Sequence, residues 1–304
     1  MLSIHRSGNL NLKAFYMKRF FRIAPTFYAA FLFYLIFNML KYALGMTHAL
    51  GTYSLSAIFG TLSFMNIIRM DWLFSLVPGG WSISNEVLFY LLLPILFYMI
   101  RDVRSGIIVT LLIVVLGIGV TILSLQYYDY DPRLYMYYFY WFPNQLPVFC
   151  MGILLYFIVE WSEQHLKWRR SALKVLMVMT ISIVMVLSTF RFTGYWLYFN
   201  HYLYGLLFSF FAFQLSQYQS RLLVNKFLVF LGKISFSVYL IHFFFIEIAM
   251  TVLRYLHVYR ADSMLQYLGV LLTVSVLSIM TAAWSYRYIE LPGIRFGRKL
   301  SSKC

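Results

Sequence analysis

The chain alternates between long apolar segments and short polar stretches that are often basic. A helix needs roughly 20 residues, at about 1.5 Å each, to cross a hydrocarbon layer of about 30 Å. By hydropathy the predicted spans are 24–44, 86–100, 106–125, 146–160, 173–189, 197–215, 234–250 and 264–284. The pattern therefore predicts an all-α protein, a polytopic transmembrane helical bundle of about eight spans.

The segment SLSAIFGTLSFMNII at 54–68 is apolar but short, and it would add a ninth span if it crossed. With eight crossings and Met1 on the cytoplasmic side, most of the 25 Lys and Arg residues are cytoplasmic. The basic residues left outside are Lys41, Arg69, Arg133, Arg191, Arg254 and Arg260. A ninth crossing would turn the basic cluster at 167–174 outward, against the positive-inside rule. We therefore predict that 54–68 does not cross and that both termini are cytoplasmic.

Composition narrows the class of protein further. A chain with 62% hydrophobic and 12% charged residues has too little polar surface for a soluble protein. The net charge of +15 is explained by membrane orientation, so membrane lipid is an expected partner and nucleic acid is not. Cys150 and Cys304 form no disulfide framework or Cys/His metal spacing, so we expect no metal site. Without repeats or a soluble appendage, residues 1–304 are predicted to form one membrane-embedded domain.

A basic motif precedes the first predicted span. Lys18, Arg19 and Arg22 come shortly before Pro25, and Arg19 and Arg22 share a helical face if the helix has already begun there. Two guanidinium groups on one face suit bidentate binding of phosphates. The alternative is a positive-inside flank that binds lipid head groups.

A polar stripe marks the outer end of the second predicted span, in WSISNEVLFY at 81–90. Ser82, Glu86 and Tyr90 recur at every fourth position and therefore share one helical face. A carboxylate that enters the membrane is a functional hypothesis by default. The alternative is a capping device, with Ser82 or Ser84 as N-cap and Glu86 near the positive helix end.

A histidine lies within the seventh predicted span, at the end of LGKISFSVYLIH at 231–242. His242 is either a proton-transfer group or a hydrogen-bonded interior histidine. Glu247 follows five residues later, about 140° around the helix, so the two side chains should not form a local dyad.

These three motifs and SYRYIELP at 285–292 resemble the acyltransferase-3 family of integral membrane acyltransferases. Members carry, in this order, an R-x-x-R pair with Pro, W-S-L-x-x-E-x-x-F-Y, L-G-x-x-S-Y-S-x-Y-L-x-H and S-Y-R-x-x-E-x-P. The matches run from residue 19 to residue 292.

The resemblance implies transfer of an acyl group, most often acetyl, from acetyl-CoA or another acyl-CoA. The acceptor would be a sugar hydroxyl of a surface polysaccharide, such as an O-antigen, or of a lipid-linked glycan, at the bacterial inner membrane. Acyl-CoA would be a donor substrate, so no bound cofactor is expected. The candidate residues are Glu86 and His242 for catalysis, Lys18, Arg19 and Arg22 for the donor phosphates, and Trp81, Ser82 and Tyr90 for substrate binding.

One departure from the family pattern concerns the start of the chain. Members usually begin with two further spans, the first with an Arg or Lys eleven positions before a His that is taken to be catalytic. None of the six histidines here has that spacing. We therefore expect the chain to be N-terminally truncated relative to the family. The alternatives to an active enzyme are a non-catalytic family member or a transporter of glycans or lipids.

The topology can be tested by cysteine labelling. In a background lacking Cys150 and Cys304, Tyr130→Cys should react with an impermeant maleimide from outside, because the loop at 130 is predicted to be external. Trp168→Cys should react only after the membrane is permeabilised. The reverse accessibility would show that the orientation is wrong.

Overall fold

A computed structural model describes residues 11–45, 54–74, 76–127, 132–165, 170–189, 196–218, 223–258 and 263–302. These residues form helices and turns without any strand, which confirms the all-α prediction. The helices are α1 (Leu12–Ala43), α2 (Leu55–Leu62), α3 (Gly80–Met99), α4 (Val103–Tyr127), α5 (Pro132–Tyr140), α6 (Phe142–His165), α7 (Arg170–Thr189), α8 (Trp196–Gln217), α9 (Lys226–Tyr255) and α10 (Met264–Ser285), then a π-helical turn (Tyr286–Glu290) and α11 (Leu291–Ser301).

Seven helical stretches among the described residues are long and apolar enough to cross a membrane. They are Leu12–Ala43, Gly80–Met99, Val103–Gln126, Met136–His165, Ala172–Thr189, Lys226–Tyr255 and Met264–Ser301. The predicted span 197–215 is helical, as α8, but is not among the seven, so the number of crossings stays a prediction. Met1, Cys304, positions 130 and 168 and part of the 167–174 cluster lie outside the described residues.

The segment 54–68 contains only the short helix α2, which is followed by turns. Its 8 residues extend about 12 Å at about 1.5 Å each, far short of a hydrocarbon layer. The interpretation of this segment as a ninth crossing is therefore wrong.

The chain divides into two compact units. The first unit comprises Met1–Ser63, Phe74–Gly80 and Asn225–Cys304, and thus contains α1, α2, α9, α10, the π-helical turn and α11. The second unit comprises Phe64–Leu73 and Trp81–Val224, and contains all but the first residue of α3 together with α4 to α8.

In the first unit, α1 begins well before the predicted span. The Asn11 side chain accepts a hydrogen bond from the Ala14 backbone N–H and caps the helix, which then continues through Pro25. Arg19 and Arg22 therefore lie inside a formed helix, which is the condition that the R-x-x-R interpretation required.

Helix α11 packs against the start of α1 through two glycines one helical turn apart. A Cβ atom at Gly293 would lie 2.8 Å from the carbonyl oxygen of Phe21, and one at Gly297 would lie 2.6 Å from Phe21 Cβ. The Phe21 and Phe296 rings meet edge to face, with 5.0 Å between centroids. Small residues with this spacing allow two membrane helices to approach closely.

Helix α9 packs against the C-terminal half of α1. The Tyr34 hydroxyl donates a hydrogen bond of 2.8 Å to the Leu240 carbonyl, and the Phe33 ring packs on Phe244 at 4.9 Å. Near the end of α1, Lys41 forms an ion pair with Glu247. Three kinds of contact therefore hold α1 and α9 together.

In the second unit, one buried amide joins three helices. Asn144 of α6 donates to the carbonyls of Tyr138 in α5 and Tyr198 in α8, and its Oδ1 accepts from the Tyr202 hydroxyl at 2.7 Å. His201 Nε2 lies 2.8 Å from the Asn144 carbonyl oxygen. A buried polar side chain satisfied in this way fixes the packing of its neighbours.

The turn between α3 and α4 is closed by Asp102. The Ser105 backbone N–H and hydroxyl both donate to the Asp102 carboxylate, and these bonds hold the pKa of that carboxyl below its ordinary value. The arrangement caps the start of α4.

We expect Gly293→Ala to destabilise the protein by about 1–3 kcal/mol, because the added methyl group would overlap the Phe21 carbonyl oxygen and the Pro25 ring of α1. The midpoint of thermal unfolding of the purified protein in detergent measures the effect. Gly269→Ala in α10 is the control, since a Cβ there meets nothing within 4 Å and alanine favours a helix. Equal midpoints for both variants would contradict a close α1–α11 contact.

Candidate functional site

Residues from three of the four sequence motifs meet in the first unit, around the carboxylate of Glu290. This side chain is buried, with a relative exposure of 2%. The Ser237 hydroxyl donates a hydrogen bond of 2.8 Å to Glu290 Oε2, and the positive charge of Arg22 acts on the same carboxylate. We call Arg22, Ser237 and Glu290 the Glu290 cluster.

The local fold explains why Glu290 faces α1. Gly293 and Gly297 bring α11 against Phe21, and Glu290 is the last residue of the π-helical turn that leads into α11. π-Helical turns are rare in proteins overall, but those that occur are often found at functional sites. A buried carboxylate is costly unless it is paired and hydrogen-bonded, and the Glu290 cluster supplies both a cation and a donor.

The other basic residues of the first motif lie on the same stretch of α1. Lys18 and Arg22 are exposed, and Arg19 is half-buried with its guanidinium carbon 5.5 Å from the centre of the Phe15 ring. Arg22 thus has an exposed side chain whose charge also acts on buried Glu290.

His242 is half-buried on α9, and its Nδ1 lies 2.8 Å from the Tyr239 carbonyl oxygen and 3.2 Å from that of Val238. Both neighbours are acceptors, so we assign the hydrogen of the neutral ring to Nδ1, which leaves the lone pair on Nε2. Glu247 pairs with Lys41 and not with His242, which confirms that the two do not form a local dyad.

Tyr239 fixes the turn that precedes α3. Its hydroxyl donates to the Gly79 carbonyl at 3.1 Å. Gly79 has a φ of +76°, and a Cβ there would lie 2.6 Å from the Tyr239 hydroxyl oxygen, so both backbone conformation and space require glycine. A residue of the third motif therefore holds the turn at Gly79 within the first unit.

The remaining candidates lie in the second unit, on α3. The Tyr90 hydroxyl donates to Glu86 Oε1, so the two side chains share one helical face, as the four-residue spacing predicted. The Trp81 and Tyr140 ring centroids lie 4.2 Å apart. Trp81, Ser82, Glu86 and Tyr90 are all half-buried.

The capping interpretation of this motif is wrong, because α3 begins at Gly80 and both serines lie within it. Ser84 is buried, and its hydroxyl donates to Asn66 Oδ1 at 3.1 Å. Asn85 donates to the Tyr140 carbonyl at 2.8 Å and so ties α3 to the end of α5.

Neither Ser237 nor Glu290 is among the candidate residues that the sequence motifs predict. The available signal was a Glu six residues after the last predicted span and two residues before Pro292, inside a family motif. No group of His, Cys, Asp and Glu suited to a metal ion occurs within the described part of the chain.

The Glu290 cluster predicts a specific loss of stability. Ser237→Ala removes a donor from a buried carboxylate and should cost about 1.5–3 kcal/mol, the usual contribution of a hydrogen bond to a charged group. Ser235→Ala on the same helix is the control, because the Ser235 side chain is exposed and, among the residues that the structure describes, bonds only to the Gly232 carbonyl. Thermal unfolding in detergent should separate the variants, and a Ser237→Ala midpoint equal to that of Ser235→Ala would show that the bond is not formed.

Comparison with known proteins agrees with the motifs. No curated protein and no solved structure matches the chain. A family model described as an acyltransferase domain, that of the acyltransferase-3 family, matches residues 2–286. Since this match covers nearly the whole chain, the protein belongs to the acyltransferase-3 family of membrane acyltransferases.

Proposed function

We propose that the protein transfers an acyl group from acyl-CoA to a sugar hydroxyl of a surface polysaccharide or lipid-linked glycan. The observation that carries the proposal is the basic pair on α1, with Arg22 exposed and Arg19 half-buried, in which the charge of Arg22 also acts on buried Glu290. Family membership supports acyl transfer in general, and the basic pair supports a phosphate-bearing donor.

On the donor side, Arg19, Arg22 and Lys18 bind the phosphates of CoA. A guanidinium group has five N–H donors in a planar fork, so Arg22 can contact a phosphate while its charge still serves Glu290. Glu290 is then a positioning residue, which restricts the orientation of Arg22 before the donor arrives. Cytoplasmic termini in a bacterial inner membrane would place these groups where acyl-CoA is available.

The reaction needs a base, because a sugar hydroxyl holds its proton firmly at neutral pH. His242 suits this role, since hydrogen bonding of Nδ1 to backbone carbonyls leaves Nε2 to accept a proton. The acceptor oxygen attacks the thioester carbonyl carbon, the new C–O bond forms and the C–S bond breaks. The proton passes from the hydroxyl to Nε2 and then to the departing CoA thiolate, so His242 is regenerated.

On the acceptor side, the second motif supplies groups that suit a sugar. Glu86 and Tyr90 are hydrogen-bonded to each other, and each can form hydrogen bonds with sugar hydroxyls in place of that bond. Ser82 shares their helical face. The adjacent Trp81 offers an amphipathic ring for the apolar face of a sugar. These residues bind and orient the acceptor.

The test is transfer of a radiolabelled acyl group from acyl-CoA to glycan by membranes that contain the full chain. Arg22→Ala should raise the KM for acyl-CoA about 10-fold or more, because one hydrogen bond to a charged group contributes about 1.5–3 kcal/mol. Lys13→Ala is the matched control, since it removes an exposed cation from the same helix outside the motif.

Two results would contradict the proposal. Absence of labelled glycan with every acyl-CoA and glycan offered would argue against acyl transfer by this chain. Transfer with the same KM in wild type, Arg22→Ala and Lys13→Ala would show that Arg22 does not bind the donor.

A further inference from the structure

A cavity of about 230 Å³ lies within the first unit, next to the Glu290 cluster. It is lined by α1, α9, α10 and the π-helical turn, and its walls include Thr26, Ala30, Tyr34, Ser237, Leu240 and Trp284. Engineered apolar cavities of about 150 Å³ hold a benzene molecule, so this cavity has room for a chain of several carbon atoms.

The cavity contains an unsatisfied hydroxyl group. Thr26 is buried, with a relative exposure of 3%, and its Oγ1 has no hydrogen-bond partner among the described residues. A buried polar group without a partner costs about 1–3 kcal/mol. The hydroxyl therefore suits a ligand that brings a hydrogen-bond acceptor into the cavity, such as a carbonyl oxygen.

Thr26 lies at the end of the cavity nearest the basic pair. It follows Arg22 by one helical turn, and Ser237 of the Glu290 cluster lines the same space. From Thr26 the wall of α1 continues through Ala29, Ala30 and Phe33, which offer only apolar side chains. The cavity thus has a polar end beside the basic motif and an apolar wall along α1, while α10 adds the hydroxyl-bearing residues Thr281 and Ser285.

We propose that this cavity receives the acyl group of the donor thioester and sets the chain length that the enzyme accepts. This inference rests on the proposed function, and it identifies the donor class as acyl-CoA with chains longer than acetyl. In the bound donor, before transfer, the Thr26 hydroxyl donates a hydrogen bond to the thioester carbonyl, and the hydrocarbon chain lies along α1. For transfer the carbonyl leaves Thr26 and meets the acceptor hydroxyl and the base. Because Ala29 and Ala30 have small side chains, there is room beside them for the hydrocarbon chain.

The length of the cavity favours a short acyl group over a phospholipid tail. Tyr34 follows Thr26 by eight residues, which is about 12 Å of helix, and its hydroxyl bonds to the Leu240 carbonyl across the gap between α1 and α9. This contact closes the far end before the roughly 15 Å depth of one membrane leaflet is reached.

Equilibrium binding of a series of CoA thioesters to the purified full chain in detergent tests the proposal. For wild type, affinity should rise about fourfold per methylene from acetyl to hexanoyl, as expected when each methylene is buried, and should rise no further for decanoyl. Ala30→Leu should fill the cavity and weaken hexanoyl-CoA binding at least 10-fold, with acetyl-CoA binding changed less than twofold. Ala43→Leu, at an exposed position of the same helix, should behave like wild type.

The hydroxyl is tested with near-isosteric variants. Thr26→Val should lower the affinity for every acyl-CoA roughly 2- to 13-fold, as expected for loss of one hydrogen bond. The affinity for free CoA should not change. Thr26→Ser should restore binding. Thermal stability of the unliganded Thr26→Val protein should not fall, because the substitution removes a polar group that had no partner; a fall would indicate a structural role and overturn the assignment.

The outcomes distinguish this inference from the proposed function. Binding of free CoA and acetyl-CoA without dependence on chain length would overturn the inference and leave the acyl-CoA donor in place. Absence of binding by every CoA species would overturn both. Loss of a copurifying phospholipid in Ala30→Leu, with the thioester series unchanged, would assign the cavity to lipid and overturn the inference.

Discussion

The close approach of α1 and α11 at Gly293 and Gly297 is the constraint on which the rest of the first unit depends. Because neither glycine has a side chain, α11 lies directly against the backbone of α1 at Phe21. This contact places the π-helical turn beside the R-x-x-R motif, and Glu290 comes within electrostatic reach of Arg22. The position of the buried carboxylate beside the basic motif therefore depends on one helix contact.

Three carboxylates on the apolar helices show how the chain tolerates charge there. Glu86 accepts from Tyr90, Glu247 pairs with Lys41, and Glu290 accepts from Ser237 under the influence of Arg22. In low-dielectric surroundings a carboxylate persists only with such partners. Their partners also differ in kind, because Glu86 is bonded within its own helix, whereas Glu247 and Glu290 join separate helices of the first unit.

Local patterns in the sequence predicted the helices and the relations within each of them. Hydropathy located the apolar helices, and spacing predicted that Glu86 and Tyr90 share a face and that His242 and Glu247 do not. Helix starts were less accurate, because hydropathy detects apolar residues and cannot detect that α1 already begins at Leu12, where Asn11 caps it. The contact of Glu290 with Ser237 joins residues 53 positions apart, and no local periodicity encodes such a pairing.

The π-helical turn between α10 and α11 changes the angular phase of one continuous helical rod. Each residue of an α-helix advances the side-chain direction by about 100°, so the wider turn shifts all later positions around the axis. Helix α10 can therefore present one face to α9 while α11 presents its glycines to α1, without a break in the chain. Substitutions that restored regular α-helix between Tyr286 and Glu290 without changing the number of residues would rotate Gly293 and Gly297 away from Phe21 and aim bulkier neighbours at α1.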